Sequence, residues 1–170
     1  EVPPVFDEAH VFEIGRASLL RPGCDVTVIV TGILVRRVLE AAETLEREGI
    51  ACRVLQMSTL KPLDVRAVEA AAAETGALVT VEEHTIIGGL GSAVAEALAA
   101  ACPAPLERVG IVDTFAESGD YEQLLDKYGM SVEDVIAAAR RALARKEGRC
   151  GAPLGRGRKP GRGSERQDRP

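Results

Sequence analysis

The chain has no asparagine and no tryptophan, and its 170 residues include only five aromatics: Phe6, Phe12, Phe115, Tyr121 and Tyr128. Five scattered rings do not make a stacking platform for single-stranded nucleic acid. With two histidines, and four cysteines that form no CxxC pair, the sequence offers no zinc-binding spacing. No run approaches the ~18–20 consecutive apolar residues that cross a bilayer, and no signal-peptide pattern opens the chain. Cys24, Cys52 and Cys102 lie in or beside apolar runs and are expected as small core residues, which fits a reduced, cytoplasmic setting. The first residue is Glu1 and not Met, so a piece of something longer is expected.

What is present is enough for a core. The sequence is 46% hydrophobic and 28% charged, about one domain's worth of chain. The net charge of −5 is the sum of two unlike parts. Residues 1–147 carry 14 Lys and Arg against 24 Asp and Glu, whereas residues 148–170 carry 7 against 2. An acidic body argues against a nucleic-acid footprint. The stretch from 147 to 170 has little apolar to bury and is expected to be a disordered basic tail. It reads either as an RGG-like RNA-binding tail or as an incidental extension, and the lack of interleaved aromatics favours the second.

Residues 1–11, with a Pro pair and no helical period, read as an interdomain linker, and 12–146 as the folded domain. Val26–Val30 is a nearly continuous β-favouring run, as a strand covered on both faces requires. Leu34, Val38, Ala41 and Leu45 then recur at helical spacing, and Gly49 closes that helix. The cycle repeats: strand Ala51–Met57, a helix capped by Asp64 and running to Thr75 before Gly76, and strand Ala77–Val81. A helix carrying Leu90, Val94 and Leu98 follows, then strand Val109–Val112, and finally helix Val132–Ala144 with Ser131 as its cap. This alternation predicts a three-layer α/β/α domain with a mostly parallel, mixed sheet. The lead segment Phe12–Leu20, joined to the first parallel strand by Arg21-Pro22-Gly23, is expected to return as its antiparallel hairpin partner.

Ligands of such sheets gather at the carboxyl ends of the strands, here Thr31-Gly32, Glu82–Gly91 and Asp113–Gly119. Gly88, Gly89 and Gly91 open a helix, and free amides at a helix start hold anions. GGLG is neither GxGxxG nor a phosphate loop, however, so the alternatives are an anion site and close packing. Glu82, Glu83 and His84 present acid–base or metal-binding types without enough further ligands. Ser92 and Ser118 have no base placed by the sequence, and Gly-x-Ser-x-Gly is absent. No catalytic, cofactor-binding or metal-binding residue is therefore assigned.

Four runs in order, FEIGRASLLRPGCDVTVIVTG, RVLQMSTLKPLD, ETGALVTVEEHTIIGGLGSAVAEAL and ERVGIVDTFAESGDYEQLLDKYGMS, resemble the C-terminal domain of transketolases. The resemblance is nearest to the split type and covers about residues 5–145. It implies a five-stranded mixed sheet with one antiparallel edge strand. It also implies membership of an enzyme that moves a two-carbon ketol unit between sugar phosphates with thiamine diphosphate and Mg²⁺.

The family's Gly-Asp-Gly…Asn metal pattern has no counterpart here, since Gly119-Asp120 is followed by Tyr121 and there is no Asn. The resemblance thus implies a structural or assembly domain that binds no cofactor itself. Its partners are the N-terminal and pyrimidine-binding domains, in the same chain or another subunit, in a homodimeric complete enzyme. Related C-terminal domains occur in 2-oxo acid dehydrogenase β subunits and deoxyxylulose phosphate synthases, and a free-standing anion-binding module is a further alternative. The interface or anion-binding candidates are Glu83, His84, Gly88, Gly89, Gly91, Asp113 and Ser118, with no nucleic acid or membrane expected as partner.

Overall fold

The computed structural model describes residues 4–8 and 10–151. Five strands, β1 (Ala17–Arg21), β2 (Val26–Val30), β3 (Cys52–Met57), β4 (Leu78–Thr85) and β5 (Leu106–Ile111), form one sheet in the order β1-β3-β2-β4-β5. The helices are α1 (Val35–Arg47), α2 (Val65–Thr75), α3 (Leu90–Ala100), α4 (Tyr121–Lys127) and α5 (Val132–Gly151). Strands β2 to β5 pair in parallel, and β1 is antiparallel at the edge.

Side-chain alternation along the strands sorts the core into two layers. Val26, Val28 and Val30 of β2 pack with α1 and α5 on one face, beside Val79 and Val81 of β4. Ile29 and Leu78 pack with α2 and α3 on the other. All of these side chains are buried. This is the expected mixed α/β/α sandwich.

The antiparallel strand is in place, but its partner is not β2. It pairs with β3, Ala17 opposite Met57. Both sides of β2 are occupied by β3 and β4, so the connection 22–25 cannot close a hairpin and instead crosses the amino end of β3. Cys24 and Asp25 donate backbone N–H groups to the Ala51 carbonyl, and Ala51 N–H donates to Asp25 Oδ2 at 2.6 Å. Gly23 is held so close that a Cβ would lie 2.3 Å from Arg53 N, so only glycine permits the crossing. Asp64 serves twice, accepting from Ala67 N–H at the start of α2 and from Ala17 N–H of β1, at 3.0 and 2.9 Å.

Other boundaries move. β4 runs on to Thr85, and β5 starts at Leu106 and ends at Ile111. The short helix α4 stands where the pattern predicted none, capped by Asp120, which accepts from Gln123 N–H. Seven residues with Leu125 alone buried leave no readable period. Helix α5 is capped by Ser131 as expected, but continues past Ala144 to Gly151. The rest of the expected tail, residues 152–170, lies outside the described residues. Cys24 is exposed and Cys102 half-buried, so of these three only Cys52 is a core residue; the crossing turn carries Cys24 away from the core. Burial pushes the Cys52 thiol up to about 12. Among the described residues no helix is long and apolar enough to cross a membrane.

Candidate functional site

From β2 the chain passes through α1 to β3 on one side, then returns through α2 to β4 on the other, so the strand order reverses between β2 and β4. Outside the carboxyl ends of such a pair the helices diverge and leave a crevice. Here it has a volume of ≈ 390 Å³ and is lined by Thr31 and Gly32 after β2, Leu60 after β3, and Glu82, Glu83, His84, Gly88 and Gly89 of β4 and its loop. The structure thus brings four of the candidate residues, Glu83, His84, Gly88 and Gly89, to one place.

The residue that organises this place is Glu82. Alternation along β4 points it, with Leu78 and Thr80, toward the layer of α3. It is 1% exposed, and its carboxylate accepts from Leu90 N–H at 2.7 Å and Gly91 N–H at 2.8 Å. These are two of the donors that a helix start leaves without intrahelical partners. A buried carboxylate at that end is stabilised by the helix dipole as well. The anion site that GGLG suggested is therefore present, and the chain's own carboxylate fills it.

The glycines follow from this arrangement. A Cβ on Gly89 would lie 2.0 Å from Glu82 Oε2, so a side chain there would expel the carboxylate. On Gly91 it would meet Arg108 Cδ at 2.7 Å and Thr80 Oγ1 at 3.0 Å. Gly88 has a φ of +79°, which makes the left-handed turn into the helix. Ser92 is used up locally: its Oγ accepts from Gly88 N–H at 2.8 Å and donates to the Ile86 carbonyl. His84 is exposed, with Nδ1 3.1 Å from the Thr85 carbonyl. Among the described residues no group of three or more His, Cys, Asp or Glu is placed to hold a metal ion.

Glu83, the next residue on β4, faces the opposite way and is exposed. The Tyr121 hydroxyl lies close enough to feel its charge. Burial, then the charge of Glu83, pushes that hydroxyl up to about 12. Tyr121 opens α4, so this contact joins the crevice to the loop that follows β5.

That loop contains Asp113 and Ser118, both exposed and apart from the crevice. Asp113 has a φ of +31°, a conformation that Asp adopts more readily than most residues. The loop is pinned where it meets α4. Glu117 N–H donates to the Tyr128 hydroxyl at 3.0 Å, and the Glu117 carboxylate pairs with Lys127. α4 in turn is strapped to α1 by Arg37, which donates to Asp126 and Glu122 and to the Met130 carbonyl. Glu82 in this role, Tyr121 and Arg37 were not legible as site residues. Only the spacing of a carboxylate just ahead of a glycine-rich helix start could have pointed to Glu82.

Comparison with known proteins agrees with this architecture. The profile described as "Transketolase, C-terminal domain" matches residues 15–135. The "6-deoxy-6-sulfo-D-fructose transketolase subunit SqwH" of Clostridium sp. (strain MSTE9) is 48% identical over 139 residues, covering 82% of this chain and 43% of that protein. The "1-deoxy-D-xylulose-5-phosphate synthase" of Heliobacterium modesticaldum is 40% identical over 135 residues, 79% of this chain and 21% of the relative. Among solved structures, a chain described as "Split gene transketolase, inactive beta4 tetramer" superposes with a TM-score of 0.82 at 50% identity, covering 85% of this chain and 48% of that one. The chain thus spans less than half the length of these relatives.

Proposed function

Because the chain belongs to the family of transketolase C-terminal domains, we propose that it serves as the structural and assembly domain of a thiamine-diphosphate-dependent transketolase of the split type. The complete enzyme transfers a two-carbon ketol unit between sugar phosphates, and the N-terminal and pyrimidine-binding domains supply the cofactor site. The observation that carries this reading is the match over residues 15–135 to one domain of relatives more than twice as long. Of the members of the family, the split-gene proteins support transketolase at 48% and 50% identity. A synthase of deoxyxylulose phosphate is the second reading, supported by the 40% identical relative.

Thiamine diphosphate would require an anion cradle and a metal, and the residues of this chain do not fit it. The amides of Leu90 and Gly91, which a diphosphate would need, already donate to the Glu82 carboxylate. A second negative charge beside a buried one is strongly disfavoured. The same observation argues against a free-standing anion-binding module. Gly88, Gly89 and Gly91 then act through packing at the helix start, while Glu83, His84, Asp113 and Ser118 are surface groups available to another domain of a homodimeric enzyme.

The test is reconstitution. Thiamine diphosphate with Mg²⁺ is expected to leave the melting temperature of this chain unchanged, although a ligand at 100 times its Kd adds about 2.7 kcal/mol. Addition of this chain to the subunit carrying the cofactor-binding domains is expected to restore ketol transfer. Full activity of that subunit without this chain would overturn the assembly role.

A further inference from the structure

From Val112 to Gln123 every residue is exposed, and Phe115, one of three phenylalanines in the protein, is 100% exposed. A bare aromatic ring is unfavourable in water and marks an interaction surface when its neighbours share the property. Other apolar side chains after the carboxyl ends of the strands are exposed as well: Val112 is 68% exposed, Ile87 57% and Ile33 47%. The loop bearing Phe115 is nevertheless ordered by the Glu117–Tyr128 and Glu117–Lys127 contacts and by the Asp120 cap. Presenting an apolar anchor from a pinned loop lowers the ordering cost of binding.

Charge selects the occupant. Glu117 and Glu122 are neutralised by Lys127 and Arg37, but Asp113 and Asp120 have no ion pair among the described residues, and Glu83 lies close to Tyr121 at the start of α4. A two-fold contact between copies of this chain would bring this acidic patch against its own equivalent, which like-charge repulsion disfavours. The surface therefore suits a different partner that is basic where this one is acidic.

We propose that the carboxyl-end face docks, with Phe115 as its anchor, into an apolar socket ringed by Arg and Lys on the cofactor-binding part of the enzyme. This rests on the assembly reading above and specifies the face and the partner's chemistry. The crevice beside it, with Glu83 at its lip, receives the rim of the same contact.

The probe is the subunit carrying the cofactor-binding domains, mixed at saturating concentration with this full chain. Hydrogen exchange of residues 112–123 is expected to slow at least tenfold in the assembly. Phe115→Ala is expected to weaken the assembly at least tenfold, as for other aromatic anchors, while leaving the melting of the free chain unchanged. Asp113→Asn and Glu83→Gln are expected to slow association several-fold and to flatten its salt dependence. Assembly with 112–123 exchanging as in the free chain would overturn the proposal and leave the assembly reading standing. Self-association of the free chain that Phe115→Ala abolishes would overturn it in favour of a second copy. No complex and no protection anywhere would overturn both.

Discussion

The two loops at the carboxyl end of the sheet solve opposite problems with similar residues. Between β4 and α3, a carboxylate, three glycines and a helix start close on one another, and Glu82 satisfies the amides from within. Between β5 and α4, the helix start is capped by the loop's own exposed Asp120, and the carboxylates, the glycine and Phe115 stay at the surface. The contrast teaches that a glycine-rich helix start is not in itself a ligand site. What matters is whether the preceding strand delivers a buried partner to it.

The largest test of the closed region removes that partner. Glu82→Ala strands two buried N–H groups and deletes two charge-assisted hydrogen bonds, so about 3–5 kcal/mol of stability should be lost. Glu82→Gln keeps an acceptor and should lose about 1–2 kcal/mol. Urea unfolding measures both, and a Glu82→Ala loss below about 1 kcal/mol would mean that water or an ion replaces the carboxylate readily.

The glycines come next. Gly89→Ala collides with the Glu82 carboxylate at 2.0 Å and should cost about 2–3 kcal/mol. Gly91→Ala first meets Arg108 Cδ, part of a flexible side chain that can swing aside, and should cost about 1 kcal/mol or less. Equal losses for the two variants would show that close packing in general, not the carboxylate, sets the requirement for glycine.

Sequence reasoning reached one of these loops better than the other, for a physical reason. The Asp64 and Ser131 caps and the Gly76 stop are local, and each is where capping chemistry puts it; the parallel strands are in place too, though the ends of β4 and β5 move by up to four residues. The pairing of β1 with β3 is not local. Hydrophobic alternation says which face of a strand is buried, but not which neighbour it lies beside, and the short 22–25 connection favoured a hairpin. The role of Glu82 is likewise a consequence of α3 folding back onto β4. Read along the chain it is one of three polar residues, Glu82, Glu83 and His84; in the fold, alternation buries the first and exposes the second. α4 escaped because a helix strapped down by Arg37, with one buried leucine, carries no amphipathic stripe to read.

That strap is the next smaller effect, and it belongs to the open region. Arg37 is largely covered, but Glu122 and Asp126 are more than 60% exposed, so the ion pairs themselves contribute little. Arg37→Ala should cost only about 1 kcal/mol in global stability. Exchange at residues 121–127 should nevertheless accelerate far more than at α3. Uniform acceleration across both loops would break the distinction between a closed and an open region.

The smallest effect probes a link between them, the proximity of Tyr121 to Glu83. Burial, with the Glu83 charge behind it, holds the Tyr121 hydroxyl at about 12, above the ordinary value of 10. A raised value in the folded state means a contribution present below pH 10 and lost as the pH rises through the folded value. Glu83→Gln removes the charge and should bring the Tyr121 transition down toward 10, followed by absorbance at 295 nm in a Tyr128→Phe background. Urea midpoints near neutral pH should barely move, because the contact lies on the surface. An unchanged Tyr121 transition would leave burial alone as the cause. The crevice and the Phe115 loop would then be separate surfaces, and a partner could engage one without the other.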